Sequence, residues 1–170
     1  MIVGILGGGQ LGMMLCQAAR KLNLQTFIYT DSDDSPAIKY ADSYLIKKYD
    51  NFHEIDSFIK KCDFVTYEFE NIPFKTLSYI EQKINVSPNS QVNKIIQDRL
   101  TEKNYVNKIN IPTVPYIEIN NTTDLKSVDP NFFPAILKTR RLGYDGKGQI
   151  VIHSHNCLLY TSPSPRDRSI

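Results

Sequence analysis

The sequence predicts an α/β chain: a doubly wound domain on a parallel sheet, followed by the start of a second domain. Three observations carry this. Short apolar runs alternate with helical patterns through residues 2–88. A glycine-rich turn joins the first strand to the first helix. Beyond residue 98 the alternation gives way to a polar helix, a proline-stiffened segment and two strands around a second glycine-rich loop.

The elements follow in order. Residues 2–6 are a short apolar run, and Gly7-Gly8-Gly9-Gln10-Leu11-Gly12 turns it into a helix. Helical spacing places Leu11, Met14, Leu15, Ala18, Ala19 and Leu22 on one face. Thr26–Thr30 reads as the second strand and ends at Asp31, completing a βαβ unit. Pro36-Ala37 opens a short helix after a polar loop, and Ser43–Ile46 suits a third strand. Phe52–Lys61 is a helix with Ile55, Phe58 and Ile59 inward. Phe64–Glu70 is a fourth strand, Phe74–Lys83 a helix, and Asn85–Pro88 a short strand entering a turn. The first domain is expected over 1–98. Then come a helix over Gln97–Lys108, an extended segment over Ile111–Tyr116, and strands at 134–138 and 149–153. Two strands and a helix enclose no core of their own, so 99–156 reads as an incomplete domain, poorly held.

Bulk properties narrow the function. A hydrophobic share of 41% and a charged share of 22% are those of a soluble globular chain. A net charge of +2 provides no basic field for nucleic acid. No apolar run approaches the roughly 20 residues that span a bilayer. Met1–Leu6 has no basic leader, so it reads as a strand, and a cytosolic location is expected. Cys16, Cys62 and Cys157 lie far apart with no C-x-x-C pair, which argues against a metal or disulfide framework.

Two loops carry chemistry. Gly7, Gly9 and Gly12 have the G-x-G-x-x-G spacing, and Asp31 closes the next strand. This is the pattern that brings a backbone against a dinucleotide pyrophosphate and an acid against a ribose. Taken alone it suits an NAD(P)-dependent oxidoreductase, and it equally suits a domain whose glycines merely turn a strand into a helix. The second loop, within Lys138–Gln149, holds three glycines and four cations. Glycines between two strands can fold backbone N–H groups over phosphates, while Lys138 and Lys147 neutralise charge moving in phosphoryl transfer. It is not the Walker pattern, because Gln149 stands where a hydroxyl is needed.

Gly7–Met14, Thr66-Tyr67-Glu68-Phe69-Glu70-Asn71-Ile72-Pro73, Gln97–Lys103, Ile111-Pro112-Thr113 and Lys138–Gln149 occur in order. Together they resemble the 5-(carboxyamino)imidazole ribonucleotide synthases of the ATP-grasp superfamily, across essentially all of 1–152. The resemblance implies a Rossmann-like pre-ATP-grasp domain followed by the truncated start of an ATP-grasp domain. It implies ATP-dependent carboxylation of 5-aminoimidazole ribonucleotide with bicarbonate, through carboxyphosphate, in purine biosynthesis. It also implies ATP and Mg2+ as cofactors, with the magnesium ligands lying beyond this sequence.

Carried over position by position, the resemblance makes Arg99 and Lys138 ATP-binding and Gly143, Tyr144, Asp145, Gly146, Lys147, Gly148 and Gln149 an ATP-covering loop. Tyr144 and Asp145 are also expected to face the aminoimidazole and to act in catalysis. Gln10, Leu11 and Glu68 are expected on the substrate side. Glu68 and Glu70 stand at the carboxyl end of a parallel strand, where open α/β sheets bind ligands. A carboxylate at 68 could hold the substrate amine or accept its proton. Glu70 could equally cap the following turn, and Asp31 needs no ribose under this reading. The expected partners are small-molecule substrates and, at full length, a second copy of the chain; nucleic acid and membrane are not expected.

From Cys157 the composition changes abruptly. Cys157–Asp167 matches one reading frame of a transposon end used in sequencing libraries, so 157–170 is expected to be non-native read-through. The native frame is expected to continue past Asn156 into a long ATP-grasp domain, and the 170-residue chain alone to be inactive. A non-catalytic binding module, ending where this sequence ends, is the remaining alternative.

Overall fold

The structure is a computed structural model that describes residues 1–143, 147–154 and 157. The chain divides into two compact units, Met1–Gln97 and Asp98 onward.

The first unit is a four-stranded parallel sheet with strand order β3-β2-β1-β4. Its strands are β1 (Ile2–Leu6), β2 (Gln25–Thr30), β3 (Ser43–Ile46) and β4 (Phe64–Tyr67). Each is connected to the next through a crossover, with α1 (Gln10–Lys21) before β2 and α2 (Phe52–Ile59) before β4. Val86 extends β4's free edge by a single parallel bridge to Val65. Pairing is in register from Ile2 opposite Gln25 to Leu6 opposite Tyr29, and from Val3 opposite Phe64 to Leu6 opposite Tyr67. The carboxyl ends of β1, β2 and β4 therefore finish at one edge, where the first glycine turn begins.

Alternation along β1 and β2 divides the core between the two faces of the sheet. Val3, Ile5 and Ile28 join Cys16 of α1 and Ala37 on one side. On the other, Leu6, Phe27 and Tyr29 pack with Ile55 and Phe58 of α2 and with Leu77 and Ile80 of α3 (Phe74–Glu81). Aromatic rings meet there: Phe27 and Phe58 have ring centroids 4.9 Å apart, Tyr29 and Phe58 5.4 Å. Gly4 lies beneath Phe58, where a Cβ would stand 2.8 Å from its ring and 2.7 Å from Cys62 Sγ.

Some sequence expectations are corrected. The face that α1 buries is Gly12, Cys16 and Ala19. Leu11 and Leu22, at 58% and 69% exposed, point outward with Met14 and Leu15. The helical period was read correctly but its phase was not: small residues bring a helix closest to a sheet, so they took the inner face. The fourth strand stops at Tyr67, so Glu68 and Glu70 lie beyond it, although the Glu68 N–H still donates to the Leu6 carbonyl at 3.1 Å. A helix unforeseen in the sequence, α4 (Ser90–Ile96), precedes α5 (Arg99–Lys108). Asn89 caps α4 by accepting the Val92 N–H, and Asp98 caps α5 by accepting those of Leu100 and Thr101.

The second unit holds α5, α6 (Thr122–Lys126) and an antiparallel pair, β5 (Ala135–Lys138) and β6 (Gln149–Ile152). A capping box between Asn121 and Asp124 starts α6. Ala135 pairs with Ile152 and Lys138 with Gln149, so the second glycine loop closes the pair at the Lys138 end.

Candidate functional site

The first candidate lies at the carboxyl end of the parallel sheet. Gly7 has φ +110°, a conformation that L side chains rarely adopt, and turns the chain from β1 into α1. Gly9 is the N-cap of α1, and its N–H donates to Glu68 Oε1 at 2.7 Å. Glu68, half-buried, sits under the whole turn: a Cβ on Gly7, Gly9 or Gly12 would approach its Oε1 to 2.8, 3.0 or 3.3 Å. The glycines are thus required by the glutamate as well as by the turn. A carboxylate at a helix N-terminus is also favoured by the macrodipole. Gln10 and Leu11, the first two residues of α1, are exposed beside this turn.

Glu70 has a different part. Its carbonyl oxygen accepts from Asn93 Nδ2 at 2.9 Å and from Gln97 Nε2 at 2.7 Å, and Gln97 also donates to the Ile72 carbonyl at 2.6 Å. Two amides from α4 and its C-cap therefore hold the loop that carries Glu68. Asn93 is fully buried, and its Oδ1 is without a hydrogen-bond partner in the structure.

The second candidate lies within the second unit. Arg99, the first residue of α5, donates from Nη2 to the Gly143 carbonyl at 2.9 Å and from its backbone N–H to the Arg140 carbonyl at 3.0 Å. The Thr139 N–H donates to the Gly148 carbonyl at 2.8 Å and closes the base of the loop. Gly148 has φ +69°, and a Cβ there would stand 2.5 Å from Thr139 Oγ1. Gly143 is buried, whereas Lys138, Lys147 and Gln149 are exposed. Lys138 lines a cleft of about 610 Å³ together with Lys103, Tyr116, Phe133, Ile136 and Ile152. Tyr144, Asp145 and Gly146 lie outside the described residues.

The other two arginines of this segment are engaged. Arg140 donates to both carboxylate oxygens of Asp98 at 3.0–3.3 Å and to Glu118 Oε1 at 2.8 Å, and Arg141 Nε donates to Asp98 Oδ2 at 3.3 Å. Burial by itself would raise the Asp98 carboxyl. The Thr101 N–H, then Arg140 and Arg141, outweigh it and hold the group down at about 2. Asp98 lies within the Gln97–Lys103 motif, and its legible signal is an Asp ahead of a helical run with Thr101 three residues on.

Among the described residues, no group of three or more His, Cys, Asp or Glu could hold a metal ion, and no helix is long and apolar enough to cross a membrane.

The fold and these two loops define a class. Residues 1–97 match the ribonucleotide synthetase preATP-grasp domain, and 104–162 match the ATP-grasp domain; the latter match includes the first residues of the segment expected to be read-through. The chain belongs to the ribonucleotide synthetase family of pre-ATP-grasp proteins, joined to an ATP-grasp segment.

More particularly, it is similar to N5-carboxyaminoimidazole ribonucleotide synthases. It is 38% identical to that of Staphylococcus aureus over 157 residues, 92% of this chain and 42% of the relative. It is 39% identical over 150 residues to the bifunctional purine synthesis protein purC/E of Dictyostelium discoideum, covering 87% of this chain and 15% of that one. The S. aureus N5-carboxyaminoimidazole synthetase structure complexed with ADP superposes with TM-score 0.86 at 36% identity, over 94% of this chain and 43% of that one. The Aspergillus clavatus synthase structure with ADP and 5-aminoimidazole ribonucleotide gives TM-score 0.79 at 27% identity, over 94% and 42%. The chain spans about two-fifths of the length of the synthases it matches.

Proposed function

We propose that this chain is the nucleotide-loop and amine-substrate portion of a carbon–nitrogen ligase that carboxylates 5-aminoimidazole ribonucleotide at the expense of ATP. The observation that carries the reading is the Arg99–Gly143 bond. It fixes a cation at the base of a glycine loop whose flanking strand ends in Lys138, an arrangement suited to polyphosphate. The relatives are synthases of this kind, and the solved structures named above hold ADP, one of them with the aminoimidazole ribonucleotide.

In this reading a bicarbonate oxygen attacks the γ-phosphorus, and ADP departs with the bond electrons. The amine of 5-aminoimidazole ribonucleotide then attacks the carboxyl carbon of the carboxyphosphate, or carbon dioxide released from it in the closed site. Phosphate leaves and the amine gives up a proton. Arg99, Lys138 and Lys147 balance charge on the phosphates, and Gly143–Gln149 exclude water from an intermediate that hydrolyses readily. Gln10, Leu11 and Glu68 serve the amine substrate, and Tyr144 and Asp145 are assigned to catalysis. Glu68 is already an acceptor for Gly9, so it would act there through the carboxylate's second oxygen. Mg2+ would screen the transferred phosphoryl group. The described residues offer no cluster for it, and no step here depends on one.

The Glu68 carboxylate on the Gly9 N–H also disfavours a dinucleotide: the amide that would meet a pyrophosphate already faces an anion. A protein carrying this chain with the remaining length of its relatives is expected to release ADP only when 5-aminoimidazole ribonucleotide and bicarbonate are both present. Hydrolysis indifferent to the ribonucleotide would refute the assignment.

A further inference from the structure

We propose that Asp98 is a positioning residue of the nucleotide loop, pinning the junction that presents Arg99 and Gly143 while keeping Arg140 and Arg141 paired away from the nucleotide. The proposal rests on reading Gly143–Gln149 as an ATP loop.

Three features separate this role from ordinary helix capping. The Asp98 side chain is only 7% exposed, yet its acceptor sites face more donors than a cap requires. Oδ1 takes the Leu100 and Thr101 N–H groups at 3.1 Å each, and the same oxygen together with Oδ2 takes Arg140; Oδ2 takes Arg141. An asparagine would satisfy the helix equally well, since Asn and Asp cap alike. The charge is therefore needed for the arginines, not for α5. Finally, the next residue along the chain is Arg99, whose backbone N–H holds the Arg140 carbonyl and whose guanidinium holds that of Gly143. Asp98 and Arg99 grip the strand-to-loop segment 140–143 from one point on the backbone: Asp98 by its side chains, Arg99 by its carbonyls. Loss of the Asp98 charge removes the carboxylate that Arg141 holds, leaves Arg140 with Glu118 alone, and lets the segment shift, which misaligns Arg99.

The test uses a protein carrying this chain with the remaining length of its relatives, with Asp98→Asn removing only the charge and Asp98→Ala removing charge and cap. Nitrogen-15 spectra follow the Arg140 and Arg141 Nε–H resonances, the Leu100 and Thr101 amides, and the Gly143 amide during titration with MgATP. In Asp98→Asn, the Leu100 and Thr101 amides are expected to stay in place. The two Nε–H resonances move and exchange faster, and MgATP binds on the order of tenfold more weakly, the scale of effect expected from a misplaced contact group. Asp98→Ala is expected to disturb the Leu100 and Thr101 amides as well. A residue that only stabilised α5 would change melting temperature and leave MgATP affinity alone, so equal affinity in wild type and Asp98→Asn overturns the proposal. Unmoved Nε–H resonances in Asp98→Asn overturn it too. A wild-type chain whose Gly143 resonance ignores MgATP instead overturns the ATP reading on which the proposal depends. The two failures are thus distinguishable.

Discussion

Replacing Gly12 by alanine sets two effects of opposite sign against each other. Gly12 is the third residue of α1, and alanine is preferred to glycine inside a helix by about 1 kcal/mol. On an exposed helix the substitution would therefore stabilise. Here the new Cβ would stand 2.8 Å from the Gly7 carbonyl oxygen and 3.3 Å from Glu68 Oε1. The carbonyl belongs to the turn at the end of β1 and has no rotamer to retreat into, so the start of α1 must lift. Overpacking of that kind costs about 1–3 kcal/mol. Lifting the helix also lengthens the Gly9–Glu68 hydrogen bond, whose charged acceptor makes it worth roughly 1.5–3 kcal/mol. The losses outweigh the propensity gain, and a net destabilisation of about 2 kcal/mol is expected. Urea unfolding followed by the methyl resonances of Ile5 and Ile28, both fully buried under this helix, measures it. Ala18→Gly, on the exposed side of α1, calibrates the propensity term in the same helix. A more stable Gly12→Ala protein would refute the steric argument and the seating of Glu68 beneath the turn.

Two further outcomes follow from the ionisable groups. Asp98 is held at about 2 against a usual 3.8, so its contribution is fully present above pH 4 and is lost as pH falls through about 2. The difference corresponds to about 2 kcal/mol. The Cγ chemical shift of Asp98 should titrate in that lower range, and an inflection near 4 would contradict the ion pairs. Among the thiols, burial pushes Cys62 up to about 12 and raises Cys16, whereas the Ser154 hydroxyl lowers Cys157. Iodoacetamide at pH 8 should therefore modify Cys157 before Cys16 and Cys62; early labelling of Cys62 would contradict its raised thiol.

Much of the first unit was legible along the chain. The strand at 2–6 is legible because a parallel strand buried on both faces appears as an unbroken apolar run, and Ile55, Phe58 and Ile59 follow the helical period; the edge strand at 43–46, exposed at Ser43 and Tyr44, is legible from its β-prone residues alone. The buried side of α1 was misread because apolarity was taken for burial, whereas Gly12, Cys16 and Ala19 allow the closest approach. The helix at 90–96 was missed because its sequence is polar and its stability comes partly from contacts to Glu70 and Ile72 more than twenty residues away.

The sequence by itself determined the alternation of strands and helices through residue 81, the parallel sheet, the two glycine loops and the ordered motifs by which the family is recognised. Those properties live in local backbone preference and apolar period, which neighbouring residues set. Tertiary structure alone decided what the charged groups do. Glu68 meets Gly9 across 59 residues, and Asp98 meets Arg140 and Arg141 across 42 and 43. A charge reveals its part only through the donor it reaches, and that donor is supplied by folding, not by spacing along the chain.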